Sequence, residues 1–136
     1  MKVLIDTNVI LDIFLKREPF FSDSYAAIRK AAEADVDCYL SSSAITDIFY
    51  LLRKSYQSAG QAKLVLNNLS QLVSFSDVLS SDIMHALSSE MADFEDAVVN
   101  AVAFRIGAAY IITRSTKDYA KSDIPALTPS DFLKCN

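Results

Sequence analysis

The residues best suited to chemistry in this chain are acids. Asp6 follows directly on the apolar run Val3-Leu4-Ile5, and Asp47 lies in the segment Ser42-Ser43-Ala44-Ile45-Thr46-Asp47-Ile48. Asp93, Asp96 and Asn100 recur at intervals of three and four, which places them on one face of a helix. An acid at the end of a buried strand stands where open parallel sheets bind ligands, beyond the carboxyl ends of their strands. Carboxylates brought together from several strand and helix ends suit Mg²⁺ or Mn²⁺, hard ions that take oxygen ligands and keep several waters. Such an ion activates a water and offsets charge on phosphoryl oxygens, the two requirements of phosphodiester hydrolysis.

Each position also has a purely structural reading. Asp6, Thr7 or Asn8 could cap a helix. Asp47 could be a first-turn acid facing a helix dipole, worth a few tenths to about 1 kcal/mol. Asp93 could cap its helix while Asp96, three residues on, completes a capping box. Asn100 goes further, because it extends the polar stripe into a helix otherwise marked by Ala97, Val98, Ala101, Val102 and Phe104. A polar stripe on a mostly buried helix is costly unless something binds it.

The elements that must position these residues follow from the hydrophobic pattern. Residues 2–5 read as a buried strand, and 9–16 as a helix broken by Pro19. Ser22 reads as the cap of a helix to about residue 34. Residues 38–40 form a second strand candidate, and the apolar period from Ala44 predicts a helix that stops near Gly60. A helix over 61–72, a strand within 73–78 and a short helix from Ser80 or Ser81 to about Met91 come next. Asp93 opens a helix that Gly107 ends. Residues 110–113 make an interior strand, Leu127 falls in a last short strand, and Ser130 starts a terminal helical turn. Alternation of this kind predicts a single α/β domain on a parallel sheet.

Composition narrows the function classes. At 136 residues, half of them apolar, the chain fits one domain, with roughly 68% of the unfolded surface buried on folding. Cys38 and Cys135 are too few for a disulfide framework and form no C-x-x-C pair, which points to a reducing cytosol. Asp6, Asn8 and Asp12 interrupt the apolar N-terminal stretch, so it does not read as a secretion signal, and no run of 18 apolar residues predicts a membrane span. The net charge of −4 argues against a passive nucleic-acid binder with a broad basic face. The pairs Lys16-Arg17, Arg29-Lys30 and Arg53-Lys54 read as solvated helix faces. Two glycines leave no room for a Gly-rich phosphate loop. His85, the single histidine, has no nucleophile elbow to serve.

Read together, the motifs resemble those of the PIN domain family, and within it the VapC-type toxins of bacterial toxin–antitoxin pairs. The opening Val3-Leu4-Ile5-Asp6-Thr7-Asn8-Val9-Ile10-Leu11-Asp12 is similar to the family's first motif, and Asp47 matches its second acid. Asp93-Phe94-Glu95-Asp96-Ala97 resembles the third motif, and Tyr110 through Tyr119, with Thr113-Arg114-Ser115 and Asp118 inside it, the fourth. The resemblance spans residues 1–136 nearly in full and implies one PIN-like domain with a five-stranded parallel sheet flanked by helices. It further implies a cytoplasmic, Mg²⁺- or Mn²⁺-dependent endoribonuclease acting on single-stranded RNA, a homodimer, and a small antitoxin partner. On this reading Asp6, Asp93 and Asp96 hold the metal, while Asp47 and Asp118 join Asp6 and Asp96 in catalysis. Asn8, Asn100, Thr113, Arg114, Ser115 and Lys117 line the pocket edge, with Arg114 and Lys117 placed to grip the RNA backbone. One position departs from the pattern: Ser115 stands where many relatives have Asp or Asn, leaving Asp118 or nearby hydroxyls to complete the site. That departure keeps open a PIN fold that only binds RNA or protein. A haloacid-dehalogenase-like phosphatase would need a second Asp where Asn8 stands.

Overall fold

In the computed structural model, which describes residues 1–135, strand β1 (Lys2–Ile5) forms the centre of the sheet. Val3, Leu4 and Ile5 are all buried, as expected of a parallel strand covered on both faces. The side chains alternate: Val3 and Ile5 pack into one apolar cluster and Leu4 into another. β1 pairs in parallel with β2 (Asp37–Ser41) on one side and with β4 (Tyr110–Ile112) on the other. β3 (Ser74–Ser76) extends the sheet beyond β2, and β5 (Ala126–Leu127) beyond β4, giving the order β3-β2-β1-β4-β5. All four pairings are parallel, in accord with the α/β domain and five-stranded sheet expected from the sequence.

The connections are helical. α1 (Thr7–Phe14) and α2 (Phe21–Glu33) link β1 to β2, and α3 (Ile45–Tyr56) and α4 (Ala59–Leu69) link β2 to β3. These four pack with α7 (Pro129–Leu133) around Ile10, Leu40, Ile48, Leu52 and Ile112. α5 (Ser80–Leu87) and α6 (Phe94–Ile106) link β3 to β4 and cover the other face through Val99, Val102 and Ile111. The chain thus grows outward from β1 to β3, then crosses to the far side for β4 and β5. The strand order reverses between β1 and β4, and a crevice at such a switch point is where open α/β sheets place ligands. None of the described helices is long and apolar enough to cross a membrane.

Several boundaries differ from the sequence expectation for local reasons. Gly60 does not stop α3: the helix ends when Gln57 turns left-handed at φ 55, and Ser58 then caps α4 by accepting from the Gln61 N–H. Ser22 lies inside α2, whose first turn grows from backbone bonds onto the Arg17 carbonyl instead of from a side-chain cap. Thr128, not Ser130, caps α7, with Pro129 at its first position. α5 ends at Leu87, short of Met91. Gly107 does end α6, at φ 75, a conformation favouring glycine.

One buried charge ties this frame together. Asp12, on α1, is fully buried, and the Arg114 guanidinium grips it with two bonds, Nε to Oδ2 at 2.8 Å and Nη2 to Oδ1 at 3.0 Å. Arg114 also stacks on the Phe20 ring at 4.2 Å, while Arg17 stands 3.8 Å from Asp12. Removing one partner of a buried pair leaves the other charge desolvated. Arg114→Ala should therefore destabilise the fold by about 3 kcal/mol, the lower end for such a loss because Arg17 stays close. Urea unfolding checks this; a loss under 1 kcal/mol would mean that Arg114 is a surface cation after all.

Candidate active site

The switch point is built around Asp6. As β1 ends, the Asp6 N–H still donates to the Ile112 carbonyl of β4 at 2.9 Å, so both strand ends are held together where α1 begins. Extended backbone at Asp6 turns its side chain to cap α1: Oδ1 accepts from the Thr7 N–H at 2.8 Å. Oδ2 accepts from the Thr113 hydroxyl at 2.8 Å, the Tyr119 hydroxyl at 3.3 Å and the Asn8 amide at 3.5 Å. Asn8 is equally tied to the end of β4. Its amide nitrogen also reaches Thr113 and Ser115, at 3.3 and 3.4 Å, and its oxygen accepts from the Arg114 N–H at 3.2 Å.

Asp96 approaches from α6. Asp93 caps that helix by accepting from the Asp96 N–H at 2.9 Å, which sets Asp96 in the first turn. Only this forward half of the expected capping box forms. The Asp96 carboxylate turns instead toward the sheet, where its Oδ1 accepts from Tyr119 at 3.3 Å. Tyr119 ends a 3₁₀ turn (Thr116–Tyr119) after β4; it is buried, and its hydroxyl lies between the two acids. Around this pair opens a cleft of about 410 Å³ whose lining includes Asn8, Asp47, Ser115 and Asp118 as well as Asp6 and Asp96. Asp47, on the first turn of α3, and Asp118 are exposed at its rim.

The electrostatics set this cleft apart. Burial raises the Asp6 carboxyl above the ordinary range, against the bonds from Thr113, Thr7 and Tyr119, which lower it. Asp96 is pushed up to about 6, first by burial and then by the negative charges of Asp6 and Asp93. Burial, and then the charges of Asp6 and Asp96, push the Tyr119 phenol upward as well. Among the described residues no Lys or Arg forms an ion pair with Asp6 or Asp96. This donor set lacks positive charge, and a divalent cation would supply it. No three acids among the described residues already form an enclosing metal cage. Mg²⁺ needs no such cage, since one or two direct carboxylates plus water suffice. Asp6 and Asp96 fit that requirement.

Three of the residues expected at the site have other work. Asn100 is buried on α6, but its amide nitrogen donates to Asp123 at 3.0 Å and its oxygen accepts from the Asp123 and Ile124 N–H groups. His85 joins the same Asp123 at 2.7 Å. Asn100 thus anchors the segment after Tyr119, which explains its polarity in a buried helix without a ligand. Arg114 is committed to Asp12, so its side chain is not free to hold a phosphate. Asp93 is a helix cap that adds charge to Asp96 from outside the cleft lining. Ser115 lines the cleft, Thr113 is buried behind it rather than at its edge and donates to Asp6, and Lys117 is exposed beside Asp118. Asp12 and Tyr119 were not expected to matter. Asp12 in an otherwise apolar helix was the available signal for a buried ion pair, whereas nothing distinguishes Tyr119 in sequence from a core aromatic.

The raised Asp96 carboxyl has a consequence for stability. In the folded chain it holds its proton more tightly than in the unfolded one, where the ordinary value is 3.8. Its contribution to stability is therefore complete below about pH 4 and lost as pH rises through about 6. Asp96→Asn removes the ionisation, so the cation-free variant should match the wild type near pH 4 and exceed it at pH 7 by about 2 kcal/mol, less than the full shift would give because solvent screens this half-buried carboxyl. Thermal unfolding in EDTA across that range checks this; a variant less stable at pH 7 than at pH 4 relative to wild type would contradict it.

Comparison with known proteins agrees with the architecture. The chain is 27% identical over 141 residues to ribonuclease VapC1 of Aquifex aeolicus, an alignment covering 98% of this chain and 94% of that one. Its structure superposes on a chain of VapBC2 from Rickettsia felis bound to a promoter DNA fragment, with a TM-score of 0.74 at 14% identity, covering 94% of this chain and 98% of the other. A toxin–antitoxin complex from Klebsiella pneumoniae gives a TM-score of 0.67 at 23% identity, over 93% of this chain and 97% of the other. Residues 2–117, which hold β1 through β4, Asp6, Asp47, Asp96 and the first half of the 3₁₀ turn, match the PIN domain family, and the chain belongs to it.

Proposed function

We propose that this protein is a VapC-type toxin, a Mg²⁺- or Mn²⁺-dependent endoribonuclease that hydrolyses phosphodiester bonds of single-stranded RNA. The observation that carries this reading is the convergence of Asp6 and Asp96 at the switch point, with no Lys or Arg among the described residues paired to either. The likeness to a ribonuclease over nearly the whole chain supports it. Asn8 weighs against the phosphatase alternative, because its amide donates to Asp6, Thr113 and Ser115 at the position where that chemistry needs a second acid.

Each residue then has a role. Asp6 and Asp96 would hold the cation, which when bound supplies an activated water and charge neutralisation at the phosphate. Thr7, Thr113 and Asn8 fix the Asp6 carboxylate in a single orientation by their bonds to it. Asp47 and Asp118, exposed at the rim, orient the attacking water and take up its proton. The water oxygen joins phosphorus as one P–O bond to a ribose oxygen breaks. Lys117, exposed beside this edge, is the candidate contact for the RNA backbone, a role that Arg114 cannot share. The acidic cleft repels RNA until a cation enters, so turnover requires metal and falls with added monovalent salt. Single strands are the substrate class that can bend a backbone into such a cleft.

A second surface fits the antitoxin expected of a toxin. An apolar groove of about 330 Å³ runs between α1, α2 and α4, lined by Ile10, Ile13, Phe14, Tyr25, Ile28 and Leu69. An amphipathic helix presenting apolar residues at i, i+3, i+4 and i+7 would fill it. The same reading includes a homodimer in solution, which light scattering on the purified protein tests.

The decisive assay follows a labelled single-stranded RNA with purified protein, with and without EDTA, beside Asp96→Ala. Cleavage should occur only with wild-type protein and free metal, and Asp96→Ala should stay folded yet inactive. Equal cleavage in all three would contradict the assignment, and no cleavage of any RNA would favour a PIN fold that binds without turnover. Co-expression with the neighbouring gene's product should yield a copurifying small protein; a solitary chain harmless to its host would count against the toxin role.

A further inference from the structure

The Tyr119 hydroxyl touches both acids of the proposed cation site, and its bonding is unusual. It carries one hydrogen but stands 3.3 Å from Asp6 Oδ2 and 3.3 Å from Asp96 Oδ1. On the Asp6 side the acceptor oxygen, Oδ2, is already crowded. A carboxylate offers about four lone-pair positions, two on each oxygen: Asp6 Oδ1 accepts from the Thr7 N–H, while Oδ2 meets the Thr113 hydroxyl, Tyr119 and Asn8. The first two, at 2.8 Å, are the short bonds, one from backbone and one from a fully buried side chain. The Asn8 amide is long, at 3.5 Å, and has two further acceptors in Thr113 and Ser115. Among these donors Tyr119 alone bonds Asp96 as well.

We propose that the Tyr119 hydroxyl is a latch on the Asp6–Asp96 pair, held in the cation-free protein by the same carboxylate oxygens that a shared cation would take. The inference rests on reading that pair as a cation site. A cation that takes those two oxygens competes with the hydroxyl at both ends, so its entry breaks the Tyr119 bonds. The latch lets the two acids sit together without a cation, and it weakens binding by the strength of the bond that must be given up. The ring cannot simply swing away: Tyr119 is 3% exposed and packs with Leu4, Val99 and Ile111. Phenylalanine at 119 keeps that packing and removes only the latch.

Calorimetric titration of EDTA-stripped protein with Mn²⁺, wild type against Tyr119→Phe, tests the proposal without reference to activity. The variant should bind Mn²⁺ about two- to ten-fold more tightly, the range expected when one competing hydrogen bond is lost. It should also melt lower than wild type without metal and show the larger rise in Tm on saturation with Mn²⁺. Asp6→Asn measured alongside should lose binding. Equal or weaker Mn²⁺ affinity in Tyr119→Phe, with wild-type binding intact, overturns the latch and leaves the cation site standing. Binding by neither protein, or binding that survives Asp6→Asn, overturns the cation site and the latch with it. Binding by the variant alone would be the strongest form of the predicted result.

Discussion

A carboxylate buried at the end of the central strand is the constraint on which the rest of this structure depends. Asp6 can occupy the switch point only if other elements bring donors to it, and they come from three places. The start of α1 supplies the Thr7 N–H and the Asn8 amide, the end of β4 supplies Thr113, and the following 3₁₀ turn supplies Tyr119. Each donor fixes an element relative to β1. The parallel pairing of β1 with β4, continued by the Asp6-to-Ile112 bond, is what makes these arrivals coincide. α6 then presents Asp96 to the same hydroxyl because Asp93 caps it there.

The chain buries other acids, and the contrast with them separates scaffold from site. Asp12 is matched by Arg114 with two short bonds, and Asp82, also buried, by Arg105 with two bonds at 3.0 Å. Burying a charge is tolerable when a guanidinium accompanies it. Asp6 and Asp96 have hydroxyl, amide and backbone donors, and burial raises the hold of both on their protons, joined at Asp96 by the negative charge of Asp6. A pair left short of positive charge in an open cleft is the candidate place for chemistry, in keeping with the general clustering of perturbed carboxyls at functional sites. The same reasoning moves Arg114 and Asn100 from the site to its supports.

The legible parts of this architecture were those written in periodicity. Alternating strand and helix patterns gave the parallel sheet, and the position of Asp6 after a buried strand gave its address at the sheet's carboxyl edge. Helix ends set by backbone conformation were harder: Gln57 in a left-handed turn ends α3 although Gly60 is nearby. Three-and-four spacing put Asp93, Asp96 and Asn100 on one face but could not separate them, because what Asp96 and Asn100 meet lies 23 residues away in sequence. Asn100 meets Asp123, Asp96 meets Tyr119, and Asp93 meets only its own helix. Tyr119 was invisible for the same reason, since a core aromatic and a hydroxyl bridge look alike until the 3₁₀ turn is folded against β1.

The central claim is that Asp6 and Asp96 together form the seat of one divalent cation. The most direct measurement is a crystal of the protein soaked in Mn²⁺, with anomalous difference density collected near the manganese edge. The account predicts a peak within ligand distance of both carboxylates, lost in a crystal of Asp6→Asn. A peak confined to other acids, with clear density for Asp6 and Asp96 and nothing between them, would contradict it.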